Sequence, residues 1–336
     1  MTIFPFADYW WLYVSFTLAI FVILLIDLGI FHKEDHEVSF KEASIWSGVW
    51  VTLALLFNLG LYLYLSERFS SMPPDELIAG MRAADIASII SLEFLTGYIV
   101  EYSLSVDNIF VFVVVFNYFA IPKKYQHRIL FFGILGALIF RAIFIALGAK
   151  LLEYEMVNTI FGAFLVFTGI KIMFTPEMEQ DLSKSIVYRG LKKLFPITQH
   201  LHGKKFFVRE GGKLLATPLF VTLVVIEFTD IVFAIDSVPA IFAITKEPFI
   251  VFTSNMCAIM GLRSMYFLLM GSVDKFHLLK YGLGIVLTFV GLKMTYLNDL
   301  YGGKFPIVWS LAIITGTIGL SIVLSLVFKK SHTDHS

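Results

Sequence analysis

The sequence predicts an all-α polytopic membrane protein of about nine transmembrane helices, in which a three-helix unit occurs twice in opposite orientation. Three observations predict this class. Hydrophobic residues make up 58% of the 336-residue chain and charged residues 15%, against about 25% charged in ordinary soluble domains. Apolar runs close to the roughly 20 residues that cross hydrocarbon as a helix recur from end to end. Blocks of sequence also recur in the same order in two parts of the chain.

Runs bounded by charge, Pro or Gly give the spans 10–31, 43–65, 88–120, 127–151, 156–174, 215–244, 249–271, 277–297 and 305–328. The opening MTIFPFADYWW lacks the basic start of a secretory signal, and no small-residue cleavage site closes its apolar run, so the first span is read as retained. Trp46 and Trp50 read as interfacial belt residues of the second span. Orientation follows from Lys and Arg, because basic loops resist translocation. One set of alternate loops holds seventeen of them, eight within the segment 176–215. The other set holds five: Arg68, Arg82, Lys150, Lys246 and Lys304. This places the N-terminus outside and the C-terminus in the cytoplasm.

EYSLSVDNIF (101–110) pairs with DIVFAIDSVP (230–239) at an offset of 129 residues. ALIFRAIF (137–144) pairs with IMGLRSMY (259–266), and GAFLVFTGIK (162–171) with GIVLTFVGLK (284–293), both at an offset of 122. Three spans per unit is an odd number, so the second unit enters the bilayer from the opposite side. Such inverted repeats characterise many secondary transporters, whose substrate sites lie near midplane between the halves. The expected organisation is two N-terminal helices with an external loop (1–87), the first repeat (88–175), a basic cytoplasmic loop (176–214), the inverted second repeat (215–298), and a last helix with a cytoplasmic tail (299–336). Lys171 and Lys293 occupy matching ends of the repeats and are expected to snorkel to the interfaces.

Ionisable residues inside spans are costly and mark functional sites by default. Spans three and six carry Glu101, Asp107, Glu227, Asp230 and Asp236; spans four and seven carry Arg141 and Arg263. The acids either pair with these charge-balancing arginines or, being in excess, surround a cation. Six residues turn a helix by about 240°, so Glu101 and Asp107, or Asp230 and Asp236, share a face only if the helix breaks. Pro239, which lacks an N–H, offers such a break beside Ile235, or else a plain kink. The available donors are the carboxylates, Asn108, Ser237, Ser103, Ser105, Thr229 and main-chain carbonyls. An all-oxygen set suits manganese, magnesium or calcium. Met256 and Met260 read as apolar core. Asp27 is either a third-element acid or an interfacial one, Glu227 an accessory acid, and Glu93 is expected near the outer surface. The single Cys257 excludes an internal disulfide or a cysteine-based cluster, and no permanently bound cofactor is expected. Balanced totals of 26 basic and 26 acidic residues say nothing of a nucleic-acid or acidic partner; no nucleic-acid partner is expected.

The blocks EYSLSVDNIFVF, GILGALIFRAIF, FGAFLVFTGIK, IEFTDIVFAIDSVPAIFAIT and YGLGIVLTFVGLK, with IDL in the first span and WSGVWVTLALLFN in the second, resemble the TerC family and especially its Alx-like branch. The resemblance covers nearly the whole chain. It implies a bacterial inner-membrane protein linked to manganese export, alkaline-pH response and, in other branches, tellurite resistance with partner proteins. It carries the family's acids onto Glu101, Asp107, Asp230 and Asp236.

The expected function is a secondary transporter exporting divalent cations, foremost Mn2+, by alternating access. Asp107 and Asp236 are the main ligands in this reading, and Glu101 and Asp230 are further ligands or proton carriers. Two other readings compete. One is a membrane scaffold of a tellurite or metal stress-resistance complex. The other is an intramembrane aspartyl protease, disfavoured because Asp107 follows SV and Asp236 follows AI. No zinc-protease, Walker or dinucleotide motif appears, so no other enzyme is expected.

Overall fold

The computed structural model describes residues 3–26, 38–72, 82–151, 154–174, 190, 193, 196–198, 200–210, 212–270, 276–301 and 305–328. Asp27 lies outside the described residues, as do the side chains of Ala83, Asp107, Phe110, Glu155, Asn158 and Asp236. Among the described residues, nine long helices fall on the nine expected spans. These are α1 (Phe6–Ile26), α2 (Phe40–Ser70), α3 (Ala83–Tyr118), α4 (Lys123–Leu151), α5 (Glu155–Phe174), α6 (Pro218–Phe242), α7 (Pro248–Leu269), α8 (Leu279–Leu300) and α9 (Ile307–Val327). Seven are long and apolar enough to cross a membrane; α5 and α7 are the other two. Helix α7 carries Thr253, Ser254, Asn255, Arg263 and Ser264, all buried. Surrounded by α2, α3 and α4, it meets protein on nearly every side and does not need a lipid-compatible surface.

The outer rim is apolar. Leu18, Phe167 and Leu320 are each about 60% exposed, a surface that suits acyl chains rather than water. Trp10, Trp11 and Trp309 are exposed near the starts of α1 and α9, where amphipathic rings mark an interface. Trp50 departs from expectation: it is buried among Met256, Met260 and Val251, because α2 packs against α7 rather than only against lipid.

Before α6, strand β1 (Phe207–Glu210) pairs antiparallel with β2 (Lys213–Ala216), and Gly212 supplies the positive φ the hairpin needs. This hairpin moves the start of the sixth helix from the expected 215 to Pro218, a proline at the first helical position where its missing N–H costs nothing. Pro239 does not break the helix. Helix α6 continues through it to Phe242, and the Ala243 N–H returns to the Pro239 carbonyl at 2.9 Å. The ring removes only the donor for the Ile235 carbonyl, a loss that spanning helices tolerate where neighbours pack against them.

The repeated blocks meet across α5 and α8, where four glycines let the backbones touch. A Cβ added at Gly169 would come within 2.5 Å of the Gly284 carbonyl oxygen, and one at Gly291 within 2.5 Å of the Gly162 carbonyl oxygen. Gly162 and Gly284 are separated by the repeat offset of 122, as are Gly169 and Gly291. Each contact is therefore the other's repeat mate, and the two helices run antiparallel. This is the arrangement a local twofold axis produces. The same exchange turns the α3–α7 packing into the α6–α4 packing, and both are extensive. The repeat-related lysines differ, however. Lys171 is exposed as expected, whereas Lys293 is buried at 2% exposure, at the start of a π-helical turn, Lys293–Leu297, that lies against α5.

Candidate functional site: an arginine clamp between the repeats

Glu101 sits halfway along α3 and Asp230 halfway along α6. Both turn toward Arg141 of α4, and all three are at most 4% exposed. The guanidinium grips Asp230 as a fork, Nε donating to Oδ2 at 3.3 Å and Nη2 to Oδ1 at 3.2 Å. Its Nη1 donates to Glu101 Oε1, to Ser237 Oγ at 3.2 Å and to Asn255 Oδ1 at 3.3 Å. Asn255 of α7 closes the ring, its amide donating to Glu101 Oε2 at 3.1 Å. One cation thus ties four helices together through planar, charge-assisted bonds that a lysine could not reproduce.

Helical geometry selects these residues. Ser237 follows Asp230 by seven residues, a turn of about 700°, so the two share a face within about 20°. The clamp holds two carboxylates against one guanidinium, leaving a formal charge of −1 when both acids are ionised. Taking Arg141 away would leave both acids buried without a cation, a situation that costs about 3–5 kcal/mol where measured.

The structure therefore joins Glu101 and Asp230 to each other through Arg141. It places Ser237 in the same cluster and shows Asn108 buried on α3. Arg263 of α7 is buried at 4% exposure. Together with Asp230 it lines a cavity of about 10 Å3, room for about one water, walled by Phe112, Leu130, Gly133 and Ile226. Glu227 is half-buried one turn before Asp230. Its carboxylate lies over Gly136, where an added Cβ would meet Oε2 at 2.2 Å, and Oε2 has no hydrogen-bond partner among the described residues. Thr229 and Ser103 spend their protons on carbonyls of their own helices, those of Val225 and Ile99. Met256 lies in the apolar core with Met260. Among the described residues no three His, Cys, Asp or Glu side chains gather as a metal cluster.

Sequence reasoning missed two features. Asn255 was legible as an amide inside an apolar run, the kind of residue that bonds across helices in a membrane. Glu93, expected at the surface, is buried at 3% exposure and accepts from Thr245 Oγ1. Beside it Glu247, ahead of α7, accepts the N–H groups of Ile3 at 2.8 Å and Phe4 at 3.3 Å. This pins the N-terminal segment into a core with Phe249. Burial, and then the neighbouring Glu93, push the Glu247 carboxyl above the usual glutamate range.

Nine helices with an apolar rim, a crossing of repeat-related helices and a buried ionic clamp at mid-height define a polytopic integral membrane protein. Residues 87–333 match the model of the integral membrane protein TerC family, and the chain belongs to that family. It is 45% identical over 326 residues to a Myxococcus xanthus protein with the name "Uncharacterized membrane protein STKORF319", covering 97% of this chain and 94% of that one. It is 41% identical over 313 residues to Alx of Escherichia coli K12, provisionally described as a membrane-bound redox modulator, covering 93% and 92%. A relative in Rickettsia bellii is 39% identical over 84% of this chain and 87% of its own length. No solved structure matches the chain.

Proposed function

We propose that this protein is a secondary carrier that exports divalent cations, foremost Mn2+, across the bacterial inner membrane by alternating access between its two repeats. Its N-terminus is outside and its C-terminus is cytoplasmic in this reading. The observation that carries it is the clamp: two carboxylates from repeat-equivalent positions meet at mid-height, buried, with one cation for two negative charges. In the proposed topology α3 runs inward and α6 outward. Asp107 and Asp236, each about 9 Å further along its helix, then stand on opposite sides of the clamp as the cytoplasmic and external steps of an acidic path. Their carboxylates, with Asn108, Ser237 and Glu227, supply the hard oxygen donors that Mn2+ accepts, and Glu101 and Asp230 join when the clamp opens. The redox description of the Escherichia coli relative finds no thiol pair here, because Cys257 is the chain's only cysteine.

The test is Mn2+ efflux from proteoliposomes containing the wild type, Asp107→Asn or Asp236→Asn. The expected result is efflux by the wild type and a loss of tenfold or more in each variant. Equal efflux by all three removes these ligands. No efflux by the wild type favours the scaffold reading, in which the buried acids serve only to pair.

A further inference from the structure

Strands β1 and β2 form a hairpin mounted on the first turn of a spanning helix. The Thr217 N–H donates to the Phe206 carbonyl at 2.9 Å, and the Thr217 hydroxyl donates to the Lys205 carbonyl at 2.8 Å. The Arg128 guanidinium of α4 lies over the Phe206 ring, 5.3 Å from its centre, and the Phe207 ring lies 4.4 Å from that of Phe220. Phe220 is in the first turn of α6, which is long and apolar enough to cross a membrane. This contact sets the hairpin at the level where hydrocarbon meets headgroups. The register pairs Phe207 with Ala216 and Arg209 with Leu214, and alternate residues of a strand share a face. Phe207, Arg209 and Leu214 therefore lie on one face, where Phe207 is 38% and Leu214 53% exposed. Lys204, Lys205, Arg209 and Lys213 are all exposed. The one acid between positions 196 and 217 is Glu210, whose carboxylate lies 3.1 Å from His202.

We propose that this hairpin binds anionic phospholipid headgroups of the membrane that the protein spans. Phe207 and Leu214 enter the boundary between headgroups and acyl chains, and the four cations hold phosphate. Clusters of roughly four to eight Lys and Arg beside a spanning helix have the charge to recruit anionic lipid, and lysine stems lie along apolar surface while their ammonium groups reach outward. Arg209 is directly across from Leu214, so its planar fork can take a phosphate beside the inserted side chain. A wholly solvated basic loop would leave two large apolar side chains in water. Contact with hydrocarbon alone would give no counter-charge to four cations that one acid accompanies. The inference stands apart from the carrier reading, since it uses no residue of the clamp.

The test attaches a nitroxide spin label at Leu214→Cys in a Cys257→Ser background of the full chain. The protein is placed in vesicles of phosphatidylcholine alone or of equal parts phosphatidylcholine and phosphatidylglycerol. Collision with a neutral nickel chelate, whose concentration at the surface does not follow the charge of the lipid, reports exposure to water. Collisions are expected to fall by about threefold or more in the phosphatidylglycerol vesicles, and high salt or Lys204→Gln/Lys205→Gln is expected to restore them. A second measurement needs no cysteine and keeps the proposal testable where the labelled chain does not fold. Native mass spectrometry of the wild type in detergent counts bound phosphatidylglycerol against phosphatidylcholine, with an expected preference of about threefold or more that is lost in Arg209→Gln/Lys213→Gln. Equal collisions in the two kinds of vesicle, or a lipid preference that survives removal of the cations, would overturn the assignment.

Discussion

Replacing Gly169 by Ala tests the crossing on which the repeat geometry depends. The added methyl would lie 2.5 Å from the Gly284 carbonyl oxygen, 2.5 Å from Thr288 Oγ1 and 2.7 Å from the Thr288 nitrogen. Two of these three atoms are backbone and cannot rotate aside, so α5 and α8 must separate. Overpacking of this kind costs about 1–3 kcal/mol, while alanine's better helix propensity returns up to about 1 kcal/mol. The net expectation is a loss of about 1–2 kcal/mol. At about 2–4 °C per kcal/mol for chains of this order of size, thermal unfolding in mild detergent should fall by several degrees. Gly291→Ala, its repeat mate, meets the Gly162 oxygen at 2.5 Å and the Val166 nitrogen at 2.8 Å and should lose a similar amount. Gly316→Ala on α9 meets nothing within 4 Å and should leave the midpoint unchanged or slightly raised. If Gly169→Ala and Gly291→Ala were as stable as Gly316→Ala, the backbone contact across α5 and α8 would be wrong.

Tyr266→Phe removes the hydroxyl that donates to Gln126 Oε1 at 2.9 Å; leaving that buried acceptor unpaired should cost about 1–3 kcal/mol, read by thermal unfolding and checked against the Gln126→Ala background, where the effect should shrink. For Glu247 the sign follows from its raised pKa. Ionisation disfavours the folded state, so the stability linked to this group is whole below the ordinary glutamate value of 4.5 and declines as pH rises from there through the raised value. Glu247→Gln should flatten that part of the pH profile; an unchanged profile would show that the carboxyl is not the titrating group. Gly136→Ala places a methyl on the Glu227 carboxylate and should lower Mn2+ efflux without lowering the amount of folded protein, provided Glu227 lies on the ion path. Wild-type efflux from this variant would remove Glu227 from it.

The helices were readable because lipid leaves no alternative: each apolar run must satisfy its own backbone, and only a helix does so within one segment. The glycine crossing was half readable. The blocks GAFLVFTGIK and GIVLTFVGLK announced their kinship, and Gly162 and Gly169 are seven residues apart, two turns along one face, but which glycines touch depends on the direction in which α8 passes α5. Trp50 and Lys293 misled for one shared reason. A side chain's type reports the surroundings it usually finds, and here neighbouring helices α7 and α5 replaced the membrane interface as those surroundings. Pro239 misled because a missing donor weakens a helix without compelling it to end.

The clamp was the least legible feature. The sequence offers five acids and two arginines within the spans and does not say which acid meets which arginine. The folded chain gives both Glu101 and Asp230 to Arg141, beside a position where the halves do not match. Asn255 can donate to Glu101 and accept from Arg141 at once, whereas Gly133, its mate, offers no side chain to do either. Buried ionic groups are sensitive to such a single partner because water is not there to substitute for it. A nearly symmetric sequence can thereby hold an asymmetric charge arrangement.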